Sequence, residues 1–234
     1  MENNKSNQHF DSEDPNVLAA YQAETLGHYT EALNLYKKAL ENNPEFGIVY
    51  KHIGNIYYRI GHLKEAETYL EKACNLLPEF PTPHYELALA YYRQVKIRPG
   101  IEQLEKVLQL DPEFLLAHYW LGILSFHYGH LRDAKKHYIA VTEKNPCFTI
   151  AYFHLGVTNI ELGCYEDAVK NFQEVIEKNP DSPAAYAYLA DCFLNLHKKV
   201  DAKKAYKKAL ELDPEDRKAQ RGLASIEDFN EIEF

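Results

Sequence analysis

The chain has 234 residues, 46% of them hydrophobic, and a net charge of -9 with the histidines neutral. Its Lys and Arg residues alternate with Glu instead of clustering, so the phosphate-neutralising footprint of a nucleic-acid binder is not expected. The polar start MENNKSNQHFDSEDPN lacks the apolar run of a signal peptide, and no stretch of about 18 apolar residues follows. These features give two expectations, no membrane insertion and a cytoplasmic location.

Residues 1–12 are expected to be a disordered polar N-terminus. From there Pro44, Pro78, Pro112, Pro146, Pro180 and Pro214 recur every 34 residues, so one short unit repeats without insertion or deletion. Such a unit cannot bury its own apolar face and must stack on its neighbours. With each proline at place 32, the repeats are 13–46, 47–80, 81–114, 115–148, 149–182 and 183–216, read as one continuous array.

Within each repeat, apolar places 4, 7, 8 and 11, then 20, 24, 27 and 28, fall at the spacing of a helix face, which predicts two helices. Place 8 is always small (Ala20, Gly54, Ala88, Gly122, Gly156, Ala190), and so is place 20. Place 24 is always large (Tyr36, Leu70, Leu104, Tyr138, Phe172, Tyr206). Small residues beside large ones mark close helix contact. Gly27, Gly61, Gly129 and Gly163 at place 15 permit the left-handed turn between the two helices. The proline, preceded mostly by Asn or Asp, ends the second helix.

The first repeat has Asn16, Ala19 and Ala23 where others carry bulky residues, which suits an N-terminal cap. In the third, Val95 replaces the turn glycine and Pro99-Gly100 opens the second helix, so a different inter-helix turn is expected; in the sixth, His197 stands at the turn. Residues 217–234 are expected to form a capping helix, with Ala219, Leu223 and Ile226 covering the last repeat, followed by an acidic tail.

The pattern, seen in Ile53-Gly54-Asn55-Ile56-Tyr57 with Gly61, Ala66 and Pro78, and in Leu155-Gly156 with Gly163, Ala168, Phe172 and Pro180, resembles the tetratricopeptide repeat (TPR) over 13–216, about nine tenths of the chain. The resemblance implies an all-α, right-handed superhelix of antiparallel helix pairs, an α-solenoid. It also implies that places 2, 5, 9, 12 and 13 of the first helices line a concave groove. Those places bring forward Ile48, Lys51, Asn55, Tyr58 and Arg59, then Thr82, Tyr85, Leu89, Tyr92 and Arg93. They continue with Leu116, Tyr119, Ile123, Phe126 and His127, and with Ile150, Phe153, Val157, Ile160 and Glu161, ending near Asp191.

A groove basic at its start, apolar in the middle and weakly acidic at its end would take a protein or peptide partner with an apolar segment and an acidic end. Some members of the family hold a dicarboxylate terminus with a Lys, Asn, Asn, Lys, Arg clamp. Lys51 and Asn55 match its first members, but Glu86, Leu116 and Trp120 stand where the others should, and a carboxylate at Glu86 would repel such a terminus. The competing expectation is a self-assembling scaffold, a homo-oligomer formed through the groove, the end repeats or the tail.

Catalytic signatures are missing: no P-loop, G-x-S-x-G or H-E-x-x-H occurs, and most glycines are committed to repeat places. The eleven histidines form no ligand spacing, and Cys74, Cys147, Cys164 and Cys192 form no C-x-x-C pair. No enzymatic activity, no cofactor and no metal are expected.

Overall fold

The computed structural model describes residues 14–230; the expectations for residues 1–12 and for the tail residues 231–234 lie outside the described residues. Among the described residues there are thirteen helices and no strand. They are α1 (Pro15–Thr25), α2 (Tyr29–Asn42), α3 (Gly47–Arg59), α4 (Leu63–Leu76), α5 (Pro81–Arg93), α6 (Ile97–Leu110) and α7 (Leu115–His127). These are followed by α8 (Leu131–Lys144), α9 (Thr149–Glu161), α10 (Tyr165–Lys178), α11 (Pro183–Asn195), α12 (Lys199–Leu212) and α13 (Arg217–Asn230). Consecutive helices pack in pairs, α1 with α2 through α11 with α12. The chain divides after Pro112 into two compact units, one holding α1 to α6 and the other α7 to α13.

The ends of the helices follow from local chemistry. Asp14 accepts from the Asn16 amide at 2.8 Å ahead of Pro15, and Asp216 accepts from the Lys218 and Ala219 amides, each at 2.9 Å, ahead of α13. Where second helices end, Asn43, Asn145 and Asp213 turn their side chains onto the amides of Glu45, Cys147 and Glu215. These Asx turns, each followed by a proline, terminate the helix and re-aim the chain.

Every inter-helix turn has one geometry. After α1, the Gly27 amide donates to the Glu24 carbonyl and the His28 amide to Ala23, the paired bonds of a Schellman motif. The left-handed residue is Gly27, Gly61, Gly129 or Gly163, at φ from 73 to 86°. The expectation of a different turn at the third repeat is corrected: Val95 takes the same role at φ 60°, with its amide on Tyr92 and the Lys96 amide on Tyr91. His197 does so at φ 58°. The two following hydrogen bonds enforce the turn even where a side chain strains it. Pro99 falls in the first turn of α6, where amides lack intrahelical acceptors and proline is tolerated.

Packing within a hairpin rests on the match between small and large places. A Cβ added to Gly54 would lie 2.6 Å from Leu70 Cγ, one on Gly122 2.5 Å from the Tyr138 ring, and one on Gly156 2.7 Å from the Phe172 ring. The second helices bury places 20, 24 and 27, as in Ala134, Tyr138 and Val141. From α3 onward the first helices bury a wider stripe than the apolar pattern suggests, because places 3 and 10 join 7 and 8; Val49 with Ile56 and Ala117 with Leu124 are fully or nearly fully enclosed. At the end of the second unit, Ala219 and Ile226 of α13 are buried and Leu223 packs beside them against Ala205, Tyr206 and Ala209.

Candidate functional site

First helices of successive hairpins meet each other as well as their partners: α3 meets α5 in the first unit, and α9 meets both α7 and α11 in the second. Groove places on these helices therefore lie where two repeats adjoin, and their side chains divide between holding the repeats together and facing outward.

In the first unit the basic and aromatic residues engage one another. Arg93 donates from Nη1 to the Tyr58 carbonyl at 2.7 Å and lies 4.7 Å from the centre of the Tyr58 ring, tying α5 to the end of α3. Tyr58 also packs against Leu70, Cys74 and Tyr91. Tyr85, Leu89 and Tyr92 are half-buried, as are Lys51 and Asn55, whereas Arg59 is exposed. Asn55 donates a hydrogen bond to Glu86, which is half-buried with its Oε2 shielded from water. Burial pushes the Glu86 carboxyl up to about 7, against the pull of Lys51, Asn55 and Arg59.

In the second unit the aromatic groove residues form two similar groups. Tyr119, Ile123 and Phe126 of α7 pack on Ala134, Tyr138 and Leu155. Phe153, Val157 and Ile160 of α9 pack on Ala168, Phe172, Leu189 and Cys192. Tyr119 meets Phe148 edge-on at 5.1 Å between ring centres, and Phe153 meets Tyr188 edge-on at 5.4 Å. These residues are half-buried, so they act as walls shared by core and surface. The outward-facing apolar groups are their place-2 neighbours, Leu116 and Ile150, 41% and 47% exposed, and His127 is exposed at the end of α7.

The acidic end expected near Asp191 is neutralised. Asp191 ion-pairs with Lys218 of α13 and accepts from the Tyr206 hydroxyl, while Lys218 lies 4.2 Å from the centre of the Tyr188 ring. The carboxylate therefore anchors the terminal helix.

Place 6 carries a stacking role between hairpins. His52 stacks on Tyr36 at 5.6 Å, His154 on Tyr138 at 5.6 Å, and Tyr188 on Phe172 at 5.5 Å. Each place-6 ring thus covers the place-24 ring of the preceding hairpin. His52 adds a 2.9 Å contact from Nδ1 to Glu24, which also accepts from the Tyr36 hydroxyl at 2.8 Å. Burial works to raise Glu24, but these hydrogen bonds outweigh it and hold the carboxyl below its usual range. The recurrence of planar side chains at place 6 was the available signal.

No group of three or more His, Cys, Asp or Glu among the described residues is placed to hold a metal ion, and no described helix is long and apolar enough to cross a membrane. The arrangement is one of surfaces: an apolar, aromatic-walled face on α7 and α9, and a polar, partly charged face on α3 and α5.

Helix pairs joined by these turns, with small places nested against large ones, define an all-α repeat protein. Tetratricopeptide repeat models match residues 16–46 and 160–226, and a TPR repeat model matches 54–95. Together they span more than half of the chain, which belongs to the tetratricopeptide repeat family. Among solved structures it resembles YrrB, described as a TPR protein with an unusual peptide-binding site, with a TM-score of 0.74 and 22% identity over 80% of this chain and 96% of that one. A MamA protein aligns with a TM-score of 0.70 and 23% identity, covering 75% of this chain and 96% of its own. MamA from Desulfovibrio magneticus RS-1 aligns with 0.69 and 21%, covering 73% and 97%. At these identities the likeness is one of fold. No curated protein matches the chain in sequence.

Proposed function

We propose that this protein is a non-enzymatic interaction scaffold that holds an apolar segment of a partner protein against α7 and α9. The observation that carries the reading is the exposure of Leu116 and Ile150 at equivalent places, above half-buried walls made by Tyr119, Ile123 and Phe126 and by Phe153, Val157 and Ile160. The core needs none of this outward surface, because places 3, 7, 8 and 10 already supply the buried stripe. Contiguous apolar surface with aromatic walls is the usual seat of a protein partner, and rigid aromatic side chains provide its anchors. A segment entering as a helix or as an extended strand would be recognised through its side chains. The peptide-binding site in the description of YrrB agrees with this use of the fold.

Comparative capture tests the proposal. Full-length protein and a Leu116→Glu/Ile150→Glu variant are used as baits, with captured proteins quantified by mass spectrometry. Both substitutions are on exposed positions and should change stability by no more than about 0.5 kcal/mol each. The expected result is a set of partners retained by the parent and lost by the variant; identical sets would remove the apolar face from the account.

Self-assembly is favoured by one separate feature. Leu18 and Leu26 of the first hairpin are 44% and 71% exposed, whereas α13 covers the last hairpin. Sedimentation of the full chain at increasing concentration distinguishes the two, since a scaffold of this design remains monomeric without its partner.

A further inference from the structure

A second cluster lies within the hairpin of α7 and α8, and nothing in it depends on the proposal made for the apolar face. Place 4 of a first helix meets place 23 of its second helix. In the second repeat the Tyr50 and Tyr69 ring centres lie 6.1 Å apart, and in the third His84 Nδ1 contacts Gln103 Oε1 at 2.7 Å. In the fourth repeat both places hold histidine. His118 Nδ1 and His137 Nδ1 approach to 3.1 Å, with ring centres 5.4 Å apart and planes inclined by 41°. The fold thus brings the same nitrogen of two imidazoles to one point. Their separation of 19 residues hides the pair from any reading of ligand spacing along one helix. Both residues are half-buried, not enclosed.

Two neutral imidazoles share such a point through one N–H···N hydrogen bond, in which only one ring offers a lone pair. A metal ion uses both. The intervening proton then moves to the far nitrogen of its own ring, and each histidine binds as a neutral ligand with no net proton released. With metal–nitrogen bonds of about 2.0 to 2.1 Å, the two atoms as placed subtend about 100°, which suits neighbouring positions in tetrahedral or square-based coordination. Burial lowers His137 to about 4, with His118 and Lys136 acting in the same direction and Asp133 opposing them. That ring therefore keeps its lone pair at neutral pH.

We propose that His118 and His137 form a two-histidine site for a divalent transition-metal ion, Cu2+ or Zn2+, that clips α7 to α8. No third His, Cys, Asp or Glu side chain is placed with them among the described residues, so water completes the coordination. Imidazole ligands favour Cu2+ over Zn2+ and do not suit Mg2+, which prefers oxygen. An ion held between two helices binds the folded hairpin alone and stabilises it by mass action.

The test uses the full chain, freed of metal with a chelator, and calorimetric titration with Cu2+, Zn2+ and Mg2+ at pH 7. Cu2+ and Zn2+ should each bind with Cu2+ the tighter, and Mg2+ should not bind. His118→Asn and His137→Gln should each weaken Cu2+ and Zn2+ by about 10-fold or more. His130→Asn, which changes the exposed histidine ahead of α8, should bind as the parent does. Zn2+ should raise the thermal midpoint of the parent and leave that of the two ligand variants unmoved. The electron paramagnetic resonance spectrum of the Cu2+-loaded parent should show coupling to two imidazole nitrogens, a signature that needs no substitution and so does not depend on how a variant folds.

Absence of Cu2+ and Zn2+ binding, affinity unaltered in both His118→Asn and His137→Gln, or coupling to a single imidazole would each overturn the proposal. An equal loss in His130→Asn would place the ion on the exposed histidines, which defeats it as well.

Discussion

Val95 carries a β-branched side chain in the left-handed region, where such residues are strained by about 1 to 2 kcal/mol. It is 79% exposed, so little packing offsets that strain. Val95→Gly should therefore stabilise the protein by about 1 kcal/mol, read as a higher urea midpoint with unchanged slope. A lower midpoint would mean that the side chain makes contacts that outweigh the backbone strain. Glu86 presents the opposite case of a residue whose environment penalises its charge. Its folded-state value, about 7, lies above the ordinary 4.5, so the unfolded chain releases its proton first as pH rises. Stability attributable to Glu86 is then full below about 4.5, falls through the interval up to about 7 and is lost above it, by a total on the order of 3 kcal/mol. Denaturation at pH 5 and pH 8 should show Glu86→Gln gaining on the parent at the higher pH; a constant difference would contradict the burial assigned to this carboxyl.

At the level of the helical hairpin, each unit is held by the nesting of a small place on the first helix against a large one on the second. Gly122→Ala sets a Cβ against the Tyr138 ring, which cannot move without disturbing the buried places around it. A loss of roughly 1 to 3 kcal/mol is expected despite the better helix propensity of alanine. Equal or greater thermal stability in this variant would show that the hairpin has room to adjust. Much of this level was legible in the sequence. The turn glycines, the Asn and Asp residues before proline, and the alternation of places 8 and 24 impose local geometry directly. Places 3 and 10 were harder to read, because Ala117, Ala151 and Thr158 give only a weak apolar signal although all three are enclosed. Place 6 was given no role from the pattern, although its rings stack on the neighbouring hairpin. The candidate groove was legible as a set of places, but the division of labour within it was not. Arg93 and Asp191 are charged residues on predicted ligand places, and their partners, the Tyr58 carbonyl and Lys218, lie on other helices.

For the molecule as a whole, the array is finished by a helix that belongs to no pair. Lys218, Asp191 and Tyr206 fasten α13 to the last hairpin, adding a polar clasp to the burial of Ala219 and Ile226. Asp191→Ala would leave the Tyr206 hydroxyl and Lys218 without this partner, costing about 1 to 3 kcal/mol. The effect should appear as faster amide exchange in α13 and α12 before other helices respond; uniform acceleration throughout the chain would contradict a local clasp. With α13 covering the last hairpin, Leu116 and Ile150 on α7 and α9 remain exposed apolar groups of the second unit.

The single tryptophan, Trp120, reports on that face from within, since it lies one helical turn from Leu116 and meets Tyr119 edge-on at 6.0 Å. Emission from Trp120 during titration with a captured partner segment is therefore the most direct measurement. The account predicts a saturable shift in the parent protein and none in Leu116→Glu/Ile150→Glu at the same concentrations. A partner that binds both proteins equally, leaving Trp120 emission unchanged, would contradict it.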